Sequence, residues 1–251
     1  DLVILAARPG MGKTSMMLKF ISKLAFKEKK TIGIFSVEMS NMQLMNRILS
    51  LESGIDLRKI LTGEMHKEQF EQIKELKYIA NSKIYFDDAN GSLTSIKNKA
   101  RVWVIKNKVE MIFIDYLQLI NNPTKGNREQ QVSEISRTLK GMAKELNVPI
   151  MALAQLSRDS GGQQPQLSHL RESGAIEQDA DMVLFIHRPN YYKKEHNGIE
   201  TDVELIIAKH RNGATGIFNI NFNPALTKFY DEFENANNQL PSTFQHQATD
   251  F

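Results

Sequence analysis

The segment Ala7-Arg8-Pro9-Gly10-Met11-Gly12-Lys13-Thr14 constrains this chain more than any other. It follows an apolar run at residues 2–6 and opens a helix-period stretch in which Met17, Phe20, Ile21 and Leu24 share one face. A glycine-rich turn from strand into helix gathers backbone N–H groups and the positive end of the helix dipole at one point, an arrangement suited to phosphate. The general phosphate-loop pattern asks for Gly, four residues, then Gly-Lys-Ser/Thr. Gly12, Lys13 and Thr14 satisfy it, whereas Ala7 stands where the first glycine is expected. Residues 7–14 are therefore read as a nucleotide-binding loop for ATP and Mg²⁺. Lys13 is expected on the β- and γ-phosphates and the Thr14 hydroxyl on the metal.

Phosphoryl chemistry needs further groups. An acid at the end of a later apolar strand should complete the metal site, and Asp115, after Met111-Ile112-Phe113-Ile114, stands there. The plainer reading is a strand-end turn aspartate. Water must also be oriented or deprotonated. The residue after Asp115 is Tyr116 and not a glutamate, so a base has to come from elsewhere. Glu38 closes the second apolar run, and would sit beside the phosphate-loop strand if the two strands were sheet neighbours. Its alternative role is a helix-start carboxylate favoured by the dipole. Gln155, at the end of the run 150–154, reads either as a γ-phosphate sensor in the crevice at the strands' carboxyl ends or as a loop-anchoring amide.

Apolar runs alternate with helix-period segments along the chain, which predicts an α/β fold with a largely parallel sheet and helices on both faces. Strands are expected at 2–6, 31–37, 84–86, 111–114, 150–154 and 182–187, with a hairpin of 203–208 and 216–222 about Asn212-Gly213. Ser40 with Gln43 has capping-box spacing, and Val132, Ile135, Leu139, Met142, Ala143 and Leu146 stripe one long helix. Residues 157–168 read as a mobile loop. Residues 1–233 read as one domain and 234–251, rich in Asn, Gln and Pro, as a disordered tail. The 251 residues contain no cysteine, which excludes disulfides and Cys-based zinc sites. No apolar run approaches the roughly 20 residues of a membrane span, so no membrane partner is expected. The net charge of +3 gives only weak non-specific attraction to polyanions; any nucleic-acid site must come from local clusters.

The segments AARPGMGKTS, FSVEMS, IFIDYLQLI, ALAQLSR, LRESGAIEQDADMVLFIHR and IIAKHRNGATG, in this order, resemble the ATPase domain of DnaB-type replicative DNA helicases, a hexameric branch of RecA-fold motors. The resemblance spans residues 1 to about 222, and alanine at the first phosphate-loop position is usual in that family. It implies that Glu38 is the catalytic base and that Gln155 is the sensor linking γ-phosphate to the DNA loops. It places Arg47 near the phosphates, and makes Lys209 and Arg211 a finger reaching a neighbouring subunit's ATP. It further implies that Arg171, Glu172 and Gly174 hold single-stranded DNA, with Lys125 and Arg128 in a second candidate loop.

The implied assembly is a cytoplasmic homo-hexamer at the replication fork, with primase and a helicase loader as partners. Because the chain starts inside the fold, a preceding domain and linker helix are expected to be missing, leaving a weakly assembling piece with low ATPase activity. Two other readings stay open: a RecA-like repair ATPase that holds DNA without unwinding it, and an oligomeric nucleotide-regulated switch.

Overall fold

The computed structural model describes residues 1–89, 91–122, 127–156, 163–170, 174–191 and 200–230. Lys125, Arg171 and Glu172, the stretch 157–162 and the tail 234–251 lie outside the described residues.

Six strands run parallel: β1 (Leu2–Ala7), β2 (Ile32–Ser36), β3 (Ile84–Asp87), β4 (Met111–Asp115), β5 (Ile150–Gln155) and β6 (Met182–His187). β7 (Glu200–His210), β8 (Gly216–Asn223) and β9 (Lys228–Tyr230) extend the sheet antiparallel, and the order across it is β3-β2-β4-β5-β1-β6-β7-β8-β9. The expected hairpin is thus two strands of a three-stranded extension. The third, β9, is three residues long and too short to show a period.

The central strands read as unbroken apolar runs because both faces are covered. On β1, Leu2, Ile4 and Ala6 enter one core layer while Leu5 and Ala7 enter the other. On β4, Ile112 and Ile114 face the first layer and Phe113 the second. The first layer is closed by two long helices, Leu93–Asn107 and Arg128–Leu146, which carry the predicted stripes Leu93, Ile96, Ala100, Trp103 and Val132, Ile135, Leu139. The second is closed by α1 (Lys13–Ser22) and α2 (Asn41–Ser53), through Met17, Ile21, Leu44 and Ile48. Helices therefore lie on both faces.

α2 starts where expected. The Ser40 hydroxyl accepts from Gln43 N–H, and the Gln43 side chain accepts from Ser40 N–H, closing the capping box. Between α2 and β3 the chain forms α3 (Leu57–Thr62), α4 (Lys67–Glu75) and α5 (Lys77–Ala80). The two helices of the first layer are α6 (Leu93–Asn107) and α7 (Arg128–Leu146), and α8 (Gly174–Asp179) precedes β6. Part of the expected loop 157–168 is ordered: Leu167–Leu170 makes a 3₁₀ turn that buries Leu170.

Candidate functional site

Every group expected to act on phosphate within one chain comes from the carboxyl edge of the parallel sheet. Residues 8–12 follow β1, Glu38 follows β2, Asp115 ends β4 and Gln155 ends β5. A cleft of about 480 Å³ opens there, lined by Arg8, Pro9, Gly10, Gly12, Lys13, Thr14, Glu38, Arg47 and Gln155 among others. The sequence-predicted proximity of Glu38 to β1 fails in its stated form. β4 and β5 stand between β2 and β1, so Glu38 lines the cleft without coming from an adjacent strand.

The loop itself is built on two glycines. Gly10 (φ 77°) and Gly12 (φ 96°) occupy left-handed backbone, and a Cβ on Gly12 would lie 2.9 Å from the Phe229 ring. Gly12 caps α1, and no acidic side chain in the first turn competes for the N–H groups at that end of the helix. Two residues of the motif serve the frame instead. Ala7 is the last residue of β1, paired with Gln155, and Met11 is buried in the second core layer.

The Thr14 hydroxyl donates to Asp115 Oδ2 at 2.8 Å. Asp115 is fully buried, and its Oδ1 has no hydrogen-bond partner among the described residues. Burial raises the Asp115 pKa, opposed by the Thr14 bond and the Lys13 charge and reinforced by Glu38. The same burial lowers the Lys13 pKa, with Asp115 and Glu38 pulling it back, and the Lys13 ammonium stands 4.6 Å from the Tyr116 ring centroid. Desolvation also lowers the pKa of Arg47, carried by α2, against the opposing charges of Asp115 and Glu38. Two cations thus meet one desolvated carboxylate, with the exposed Glu38 carboxylate at the margin of the group. An orphaned buried carboxylate oxygen beside a hydroxyl is a donor pair suited to a hard divalent cation.

Gln155 is held by its main chain. The Gln118 side chain accepts from Gln155 N–H at 3.1 Å and donates to Gln155 C=O at 3.0 Å, leaving the Gln155 side chain on the cleft. Gln118 was not legible as a site residue; it lies in a 3₁₀ turn, Leu117–Leu119, that has no sequence period.

Arg188 was also missed. It follows β6 directly, a cation at a strand's carboxyl end, and that position was the available signal. It is buried, donates to Gly10 C=O at 3.0 Å, and lies 4.5 Å from the Tyr191 and 4.6 Å from the Phe222 ring centroids. It thereby braces the phosphate loop. Replacing Arg188 by methionine should lower folding stability by about 3 kcal/mol, from a lost charge-assisted bond and two ring contacts. Urea denaturation checks this, and an unchanged midpoint would refute the brace.

Lys209 and Arg211 are not in the cleft. Lys209 Nζ donates to Glu177 C=O, and Arg211 pairs with Asp181 at 3.0 Å. Met182 at the start of β6 is partnered by His210, so both cations sit at the amino edge, one β6 length from the phosphate loop. Six residues at about 3.3 Å each make that roughly 20 Å. Arg128 is exposed and donates to Gln118 C=O and Gln131. Gly174 opens α8.

Residues 1–231 match the family model described as DnaB-like helicase C terminal domain. Replicative DNA helicase DnaC of Bacillus subtilis is 43% identical over 94% of this chain, and replicative DNA helicase DnaB of Geobacillus stearothermophilus is 42% identical over 94%. The chain spans 52% of each of these relatives, about half their length. One solved ATPase domain superposes with TM-score 0.84 at 36% identity, over 92% of this chain and 84% of that one. A DnaB-like replicative helicase, solved in a study of its interactions with primase, gives TM-score 0.83 at 36% identity, over 92% of this chain and 57% of that one. With a family model that spans the described residues, and a fold shared with a solved DnaB-like helicase, the chain belongs to the DnaB-like helicase C-terminal domain family.

Proposed function

We propose that this chain is the ATP-hydrolysing motor of a replicative helicase that moves on single-stranded DNA as a ring hexamer. One observation carries the reading. The groups for binding phosphate share one sheet edge, while Lys209 and Arg211 occupy the opposite edge. A second copy of the chain is what would bring those cations to a nucleotide, so hydrolysis would depend on assembly.

In this reading Lys13 and Arg47 neutralise phosphate charge and α1 contributes its free N–H groups. Glu38 takes the proton of the attacking water, and Gln155, fixed at its main chain by Gln118, faces the γ-phosphate. Thr14 Oγ1 and Asp115 Oδ1 are the residues that would hold Mg²⁺. The described residues contain no cluster of three or more His, Cys, Asp or Glu able to cage a metal, which fits an ion held jointly with substrate phosphates. Held there, the ion would neutralise charge on the substrate's phosphates. The neighbour's Arg211 adds the final cation.

For DNA, the loop before Gly174 is the proposed contact, through phosphate-binding groups that ignore base identity. Arg128 already donates within the chain, so we assign it to anchoring the start of α7. Primase and a helicase loader are the proposed partners, and the cytoplasmic replication fork the proposed location. Among the described residues no helix is long and apolar enough to cross a membrane.

The test is ATP hydrolysis with and without single-stranded DNA, alongside unwinding of a forked duplex. Stimulated hydrolysis together with unwinding is expected. Stimulation without unwinding would favour a DNA-holding repair ATPase, and no response to DNA would favour a switch.

A further inference from the structure

Asp181 stands at the junction of α8 and β6 and is 6% exposed. Its main chain is fixed twice: Asp181 N–H donates to Leu2 C=O at 2.9 Å, and its own C=O accepts from Arg211 N–H at 2.8 Å. Its side chain is fixed as firmly. Oδ2 accepts from Leu2 N–H at 2.8 Å, and the Lys140 ammonium of α7 reaches Oδ1 at 2.7 Å. Against this oriented carboxylate lies Arg211, whose Nη1 is 3.0 Å from Oδ1. A weaker contact runs from Arg211 Nη2 to Gln178 C=O at 3.5 Å, in the last turn of α8.

Three features set this pair apart from an ordinary surface ion pair. The acceptor is buried and immobilised by β1 and α7, whereas the Arg211 side chain remains 49% exposed. One carboxylate faces two cations, so the guanidinium keeps its charge for another anion. A guanidinium has five N–H donors in a planar fork, and the contacts made here involve only Nη1 and Nη2. Two of the five donors are thus engaged, which leaves three N–H groups for another anion.

We propose that Asp181 is the positioning residue for Arg211, holding the guanidinium in the outward pose that a neighbouring copy's nucleotide requires. This rests on the reading of Arg211 as a finger acting on the next subunit. A free arginine carries about 2 kcal/mol of rotamer entropy. Holding it in advance lowers the cost of reaching the transition state, so losing Asp181 should slow turnover by roughly ten- to thirtyfold. ATP affinity should not change, because the chain's own cleft is on the other edge.

Asp181→Asn keeps an acceptor for Leu2 N–H and removes the charge. In the assembled protein at saturating ATP, kcat should fall about tenfold or more, with KM and fluorescent-nucleotide affinity within about twofold. Mixing these subunits with Lys13→Ala subunits, which cannot hydrolyse ATP but retain Asp181 and Arg211, should restore turnover at the Asp181→Asn clefts. Arg211→Ala mixed with Lys13→Ala is the parallel case for the finger itself. If that mixture regains no hydrolysis, the finger reading falls and this proposal with it. If it does regain hydrolysis, unchanged kcat in Asp181→Asn overturns the positioning role alone. A loss in Asp181→Asn that Lys13→Ala subunits fail to rescue would mark a structural role and also overturn it. Should Asp181→Asn not fold, Asp181→Asn/Lys140→Met, which leaves no half-buried ammonium without its carboxylate, is measured in its place with the same outcomes.

Discussion

Replacing Arg211 by alanine should lower ATP turnover by about three orders of magnitude, the usual contribution of an arginine supplied in trans. Nucleotide affinity should stay within about twofold of the unaltered chain. The separation follows from where the residue sits. Arg211 is bonded at the amino edge of the sheet, through Asp181, while Lys13, Thr14, Glu38 and Gln155 line the cleft at the carboxyl edge. The cleft of the same chain therefore loses nothing when the guanidinium is removed. Folding should suffer little, because the Arg211 side chain is half exposed. Asp181 also keeps Lys140 and Leu2 N–H. Phosphate release at saturating ATP, beside a fluorescent-nucleotide titration, makes the measurement. Normal turnover would remove Arg211 from the reaction, and lost binding would show that it holds the ground-state nucleotide as well as the transition state.

How much of this was readable beforehand depended on whether a feature is local in sequence. The strand-turn-helix around Lys13 is local, and so is the capping box at Ser40; both appear in the structure as read. The parallel strands were legible because burial on both faces turns each into an apolar run, as at Ile112–Phe113–Ile114. Sheet order was not legible. Glu38 was tied to β1 by a condition that β4 and β5 break, since the order of strands depends on crossovers that leave no local pattern. Arg188 shows a second limit. Its partners are Gly10, Tyr191 and Phe222, and two of these lie 178 and 34 positions away, so no spacing rule links them. Gln118 is hidden similarly, because its bonds go to the backbone of Gln155 and backbone atoms carry no sequence identity. The location of Lys209 and Arg211 at the far edge came only with the β6–β7 register, in which Met182 partners His210. Family resemblance implied their role, and the structure adds only their distance from the cleft of the same chain.

Glu38→Gln should reduce turnover by roughly 10²- to 10⁴-fold, the range for loss of a positioned general base. The substitution keeps the size of the side chain and its place after β2, so the cleft's shape is preserved. What it removes is one negative charge near Lys13, Asp115 and Arg47, groups whose ionisation already responds to Glu38. A polyphosphate entering the cleft would then meet less repulsion. Nucleotide affinity should accordingly hold or rise while hydrolysis falls, and the protein should accumulate with ATP uncleaved. That pattern separates Glu38 from Asp115, whose replacement by asparagine would disturb the Thr14 contact and the proposed Mg²⁺ donor set together, weakening Mg²⁺-dependent binding as well as turnover. It also separates Glu38 from a mere helix-start carboxylate. In that role its loss would cost about 0.3–1 kcal/mol of stability and leave chemistry intact. Single-turnover hydrolysis with pre-bound ATP reads the difference directly. A chemical step as fast as in the unaltered chain would send the search for the base to another residue on the carboxyl edge.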